Sequence, residues 1–148
     1  MKKLSTVNAL RLIQASEELK AKLAGEFSAI HGVSVNEFFL LLNLKLAPSN
    51  RLARVELAKR MHVSASTVTR MTAPMEKIGL VGRQVDERDA RLSFVVLTEA
   101  GKMRLADAEA TFAKQAGYAF QDRWSEDELR VLGDLLLRLA MKAPVVLA

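Results

Sequence analysis

The chain contains no cysteine, which excludes a disulfide framework, thiolate zinc sites and redox sensing through a thiol of this polypeptide. Such a composition suits the cytoplasm. Aromatic residues are scarce at 5%, so a core must come mainly from Leu, Val, Ala and Met. The densest apolar run, Phe38 to Leu42, falls far short of the ~20 residues needed to cross a bilayer, and no membrane span or membrane partner is expected. The opening stretch MKKLSTVNALRLIQ carries two lysines, but Asn8, Arg11 and Gln14 interrupt the apolar segment that a signal peptide requires. There is no glycine-rich phosphate loop, no metal-ligand spacing, and no Ser, His and acid set that neighbouring elements would bring together. These absences argue against catalysis. The two histidines, His31 and His62, lack a nearby carboxylate cluster, so neither a metal site nor a cofactor is expected.

What is present is a soluble globular composition: 148 residues, half of them hydrophobic and 26% charged, with a net charge of +5. That length is enough to bury roughly 70% of the surface the unfolded chain exposes. The positive charge is concentrated in the middle. From Arg51 to Arg91 nine Lys or Arg face five Asp or Glu, whereas residues 92–148 carry seven against eight. A basic segment of this kind is the footprint of a phosphate-binding surface, because each neutralised phosphate releases condensed counterions. Many soluble proteins carry the same net charge without such a partner.

Apolar residues at Leu4, Val7, Leu10, Ile13, Leu19, Leu23 and Phe27 predict one long first helix, which Gly32 breaks. Ser34 with Glu37 has the form of a capping box opening a second helix to about Leu46, apolar on nearly every side and therefore buried. Pro48, Ser49 and Asn50 make a turn, and Val55, Leu57, Ala58 and Met61 mark a short helix ending near His62. Ser64 caps the next helix, with Val68, Met71, Met75 and Ile78 as its inner stripe and Gly79 as its stop. Pro74 predicts either a kink there or a stop near Ala73.

From Leu80 the period changes to two. Val81, Arg83 and Val85, then Leu92, Phe94 and Val96 after a charged loop, predict a β-hairpin. Thr98 caps a long helix to about Asp122, whose straightness Gly101 and Gly117 weaken. Ser125 and Glu128 form another capping box, and Leu129, Leu132, Leu135, Leu136 and Leu139 mark a last helix that Pro144 ends. The short apolar tail from Pro144 to Ala148 is expected to pack between subunits. No repeat, low-complexity tract or linker appears, so the chain reads as a single domain, 1–148. The fold class is mainly α with a small β-hairpin wing: a winged helix-turn-helix lobe at about 48–98, between helices at about 4–30 and 98–148.

Helical spacing turns Ser66, Thr69, Arg70, Ala73 and Lys77 outward on the capped helix. Such a face suits a major groove, where Ser and Thr hydroxyls reach base edges and phosphates and Arg pairs bidentately with guanine. SASTVTR could equally be an ordinary capped surface helix; the short helix before it and the hairpin after it favour the DNA reading. The loop Asp86-Glu87-Arg88-Asp89-Ala90-Arg91 is either a solvated turn whose charges pair among themselves or a wing tip whose Arg88 enters a narrow minor groove, with the acids orienting the arginines. A winged helix used only for protein contacts is the alternative function, disfavoured because a docking helix would show an apolar outer stripe.

The stretches VELAKRMHVSASTVTRM and MEKIGLVGRQVDERDARLSFVVLTEAG resemble the MarR (multiple-antibiotic-resistance regulator) family, most specifically in GLV-x-R, the D-x-R-D-x-R wing and LTE-x-G. The resemblance covers about residues 54–103. It implies a transcriptional regulator, typically a repressor, that is an obligate homodimer held by the first and last two helices, each lobe reading half of a palindromic site in double-stranded DNA. The DNA-contacting roles it implies fall on Ser64, Ser66, Thr67, Thr69 and Arg70, with Arg88 at the wing tip, Arg91 as the second wing arginine and Arg83 as the basic strand residue. For control it leaves two alternatives, release by a small anionic or aromatic effector, as in many relatives, or constitutive repression, and it names no residues that would bind an effector. Pro74 and the SVNEF start of the second helix depart from the family pattern, the second in the region where an effector would sit.

Overall fold

The computed structural model describes residues 3–140; the apolar tail Pro144 to Ala148 lies outside the described residues. Helix α1 (Leu4–Glu26) runs into a wider π-type turn, Phe27–His31, that ends at Gly32. Helix α2 (Val35–Leu46) starts in the expected capping box, with Ser34 Oγ accepting from the Glu37 amide at 3.0 Å and Glu37 Oε1 accepting from the Ser34 amide at 2.9 Å. The turn Pro48–Asn50 leads into a strand absent from the sequence reading, β1 (Arg51–Ala53). Helices α3 (Arg54–Met61) and α4 (Ala65–Lys77) follow, then strands β2 (Val81–Val85) and β3 (Ser93–Leu97), and finally helices α5 (Glu99–Ala119) and α6 (Glu126–Ala140). The hairpin wing is thus part of a three-stranded antiparallel sheet in the order β1-β3-β2. No single described helix is long and apolar enough to cross a membrane.

Helix α2 is the centre of the core. Phe38, Leu40, Leu41 and Leu44 are fully buried, and Phe38 lies between Phe27 and Phe112, with ring centroids 4.9 and 5.4 Å away. Each such side chain contributes roughly 1.5–3 kcal/mol relative to exposure. The same core continues through Leu57 of α3, Val68 and Met75 of α4, Leu80, and Leu105 of α5, which fixes the helix-turn-helix against the body.

Several expectations are corrected. In α4 the inner positions are Val68, Thr72 and Met75, with Met71 partly buried against the core as expected; Ile78 is 56% exposed, because the helix has ended and Ile78 adopts a turn conformation. The helix does not stop near Ala73 but passes through Pro74 as one element. Pro74 and Arg70 are both exposed, so water can satisfy the Arg70 carbonyl that the proline leaves unbonded. On β3 the core face is Val95 and Leu97, with Phe94 and Val96 on the other side. Both sets are apolar, so period-two reading could not choose between them. Helix α5 ends at Ala119, short of Asp122, where a turn begins.

The largest departure concerns the terminal helices. Leu4, Leu10 and Ile13 of α1 are exposed, and α6 buries none of its residues, with Leu135, Leu136 and Leu139 open to solvent. The C-terminal part of the α1 stripe, Leu19, Leu23 and Phe27, joins the core, but among the described residues Leu4, Leu10 and Ile13 of α1 and the leucine row of α6 stay exposed.

Candidate nucleic-acid interface

The turn between α3 and α4 is tight. His62 closes α3 in the left-handed conformation (φ 56°), and the Val63 amide donates back to the Ala58 carbonyl at 3.0 Å. Ser64 then caps α4, its Oγ accepting from the Thr67 amide at 3.1 Å, a bond worth about 1 kcal/mol to the helix. The same oxygen lies 3.0 Å from Ser66 Oγ and 2.8 Å from Thr67 Oγ1, and Arg70 Nη2 donates to Thr67 Oγ1 at 3.2 Å. Ser64, Ser66, Thr67 and Arg70 therefore form one hydrogen-bonded network around the first turns of α4. Free helix N–H groups and the positive end of the macrodipole lie beneath it. Thr69 sits one step round the helix and meets Arg54 instead, whose Nη1 donates to Thr69 Oγ1 at 2.8 Å.

In the wing the acids brace the loop backbone at the two arginines rather than pairing with their side chains. Asp86 Oδ1 accepts from the Arg88 amide at 2.7 Å and Asp89 Oδ1 from the Arg91 amide at 3.0 Å. These are two successive Asx turns, which explains a D-x-R-D-x-R spacing: each carboxylate reaches the amide two residues on. The Asp86 amide donates to the Leu92 carbonyl and the Leu92 amide to the Asp89 carbonyl, both at 3.0 Å, closing the loop. Among the described residues neither the Arg88 nor the Arg91 guanidinium forms an ion pair, so the mutual pairing of a solvated turn does not occur.

Arg83 is tied back to the end of α4 by Glu76 at 3.5 Å and stands apart from the hydroxyl network. Sequence reasoning missed two basic residues. Arg51 on β1 lies over the Phe94 ring at 4.6 Å and donates to Gln84 Oε1 at 3.0 Å, on the sheet face beside the wing. Arg54 opens α3. Both belong to the basic segment, but only the fold reveals that Arg51 neighbours the wing and Arg54 neighbours α4.

The root of the wing explains LTE-x-G. Leu97 is buried, and Thr98 Oγ1 accepts from the Gly101 amide at 3.0 Å while lying 2.6 Å from the Gly79 carbonyl oxygen and 2.9 Å from that of Leu80. A Cβ on Gly101 would overlap the Leu80 carbonyl oxygen and stand 2.7 Å from Leu97 Cδ1. Gly101 is therefore a point of backbone contact between α5 and the end of the recognition unit, rather than the weak spot its propensity suggests.

His31 Nε2 is 2.6 Å from Thr111 Oγ1, a contact between the π-type turn and α5, while His62 belongs to the α3–α4 turn. Among the described residues no group of three or more His, Asp or Glu is placed to hold a metal ion. A groove of about 710 Å³ opens between α1 and the start of α2, lined by Glu17, Lys20 and Glu37 among smaller residues.

Two tightly joined helices, the second capped and bearing hydroxyls and arginine on its open side, followed by a charged hairpin, define a winged helix-turn-helix protein. The MarR family model matches residues 33–93. The HTH-type transcriptional repressor YetL of Bacillus subtilis is 31% identical over 137 residues, covering 89% of this chain and 80% of YetL. Among solved structures, the MarR family transcriptional regulator Sco3205 of Streptomyces coelicolor, crystallised in complex with DNA, aligns at a TM-score of 0.80 and 26% identity, covering 91% of this chain and 84% of its own. The apo form of MarR from E. coli shares the fold at a TM-score of 0.76 and 20% identity, covering 94% and 97%. The chain belongs to the MarR family of transcriptional regulators. It is a regulator and not an enzyme.

Proposed function

We propose that this protein is a repressor that binds a palindromic operator as a homodimer, each protomer laying α4 in a major groove and reaching the adjacent minor groove with Arg88. The observation that carries this reading is the open side of α4, where Ser64, Ser66, Thr67, Thr69 and Arg70 gather with no apolar outer stripe of the kind a protein-docking helix would need. Arg88 and Arg91, without an ion-pair partner among the described residues and held on a braced loop, supply cations where a narrow minor groove concentrates negative potential. Repression is supported by the likeness to YetL, and DNA binding by the likeness to the DNA-bound Sco3205. On this reading the chain works as one domain in the cytoplasm, with the lobe carrying recognition and the terminal helices carrying assembly.

The homodimer is supported by α6. Val131, Leu135, Leu136 and Leu139 form an exposed apolar row at helical spacing, which a twofold copy of itself would cover. Leu136→Glu should convert the dimer to monomer while the far-ultraviolet spectrum stays helical, as read by analytical ultracentrifugation. A variant that stays dimeric would remove α6 from the interface. Release by an effector is part of the proposal, with an aromatic compound favoured over an anion in the α1–α2 groove, since Glu17 and Glu37 outnumber Lys20 there.

The test is selection of genomic fragments on the purified protein at two salt concentrations. Enrichment of a palindrome with half-sites about one helical turn apart, weakening steeply with salt, is the expected result. Retention without a shared motif would instead favour a protein-docking module.

A further inference from the structure

We propose that Arg54 is a specificity-positioning residue that locks the Thr69 hydroxyl as a hydrogen-bond acceptor. The pair thereby selects an amino-bearing base, adenine or cytosine, at one position of each half-site. The inference rests on the DNA reading above and deepens it.

A threonine hydroxyl has one proton and two lone pairs, and a free one rotates to donate or accept as its partner requires. Thr69 is not free. Its proton is directed to the Ala65 carbonyl oxygen at 3.2 Å, within α4. One lone pair receives Arg54 Nη1 at 2.8 Å, a charge-assisted bond from the first residue of α3. One lone pair and the methyl group remain. In the major groove adenine N6 and cytosine N4 offer donors, whereas guanine O6 and thymine O4 offer acceptors. A hydroxyl held as an acceptor attracts the first pair and repels the second. The contrast with Thr67 is instructive: its hydroxyl accepts from Arg70, but its contact with Ser64 can run in either direction, so its proton is not committed to a helix carbonyl. Arg54 is exposed and spends one of its five donors on Thr69, so the interaction can persist at a DNA surface.

The experiment is selection from a randomised operator library by the full-length wild type, Arg54→Ala, Arg54→Lys and Thr69→Val, with affinities for the selected sites measured across a salt series. The wild type should enrich a palindrome with adenine or cytosine favoured at one symmetric pair of positions. In Arg54→Ala the rest of the motif should persist while discrimination at that pair falls about fivefold or more, the scale of one mismatched base pair. Thr69→Val should lose selectivity at the same pair, and Arg54→Lys, which still donates, should recover part of it. Uniform weakening of Arg54→Ala across all sites, with the salt slope reduced by about 1, would make Arg54 a phosphate contact and overturn the proposal. An unchanged motif would overturn it as well. A wild type that enriches no motif would instead remove the DNA reading on which it stands.

Discussion

Gly101→Ala should destabilise the protein by about 3 kcal/mol or more, near the upper end of what overpacking costs. The sign is the informative part, because alanine in a helix interior ordinarily stabilises by ~1 kcal/mol relative to glycine. Here the added methyl meets the Leu80 carbonyl oxygen, which is backbone and cannot rotate away as a side-chain end would. The start of α5 and the chain entering β2 would have to separate, and Thr98, which bridges the same two segments, would lose its short contacts to Gly79 and Leu80. Urea unfolding followed by circular dichroism measures the loss. A variant as stable as the wild type would mean that α5 shifts without cost and that the close approach is incidental. Because Leu80 leads directly into the wing, operator affinity should fall along with stability.

Arg88→Ala should weaken operator binding by ~1–3 kcal/mol, about 5- to 150-fold, with the fold and the proposed dimer intact. The bond to Asp86 that shapes the loop comes from the Arg88 amide rather than its side chain, so the substitution removes the guanidinium and leaves the turn. The logarithmic salt slope should fall by about 1 if the arginine neutralises a phosphate or a counterion-rich groove. Fluorescence anisotropy with an operator duplex provides the measurement. Unchanged affinity would take the wing out of the mechanism and leave recognition to α4 alone.

The parts of the fold that were legible in the sequence are those set by local chemistry. The caps at Ser34, Ser64, Thr98 and Ser125 lie where they were read, and each makes its hydrogen bond within three residues. Such bonds depend on side-chain type and spacing, both of which a sequence displays. The period change at Leu80 was equally visible. The face of β3 was not, because apolar residues stand on both of its sides, and β1 was too short to show a period. Ile78 was misread because helical periodicity was extended one residue past the helix end.

At the candidate site, Ser64, Ser66, Thr67, Thr69 and Arg70 were named from helical spacing and the family resemblance, and the structure groups all but Thr69 in one network. Arg54 escaped notice because its partner is 15 residues away on another helix. The Asp86 and Asp89 turns were half seen: the pairing of acid with arginine was read, but its route through the amide was hidden.

By itself, then, the sequence determined the order of the helices and of the hairpin, their boundaries to within a few residues, the capped helix α4 and the family, because these depend on interactions within one turn or on a pattern along the chain. Only the tertiary structure decided what those elements meet: that Gly101 touches Leu80, that Arg54 reaches Thr69, that Arg51 covers Phe94, and that the apolar row of α6 is exposed among the described residues. The physical reason is the same in each case. Such contacts join residues distant in sequence, and their existence depends on how helices and strands pack around α2, which no local pattern encodes.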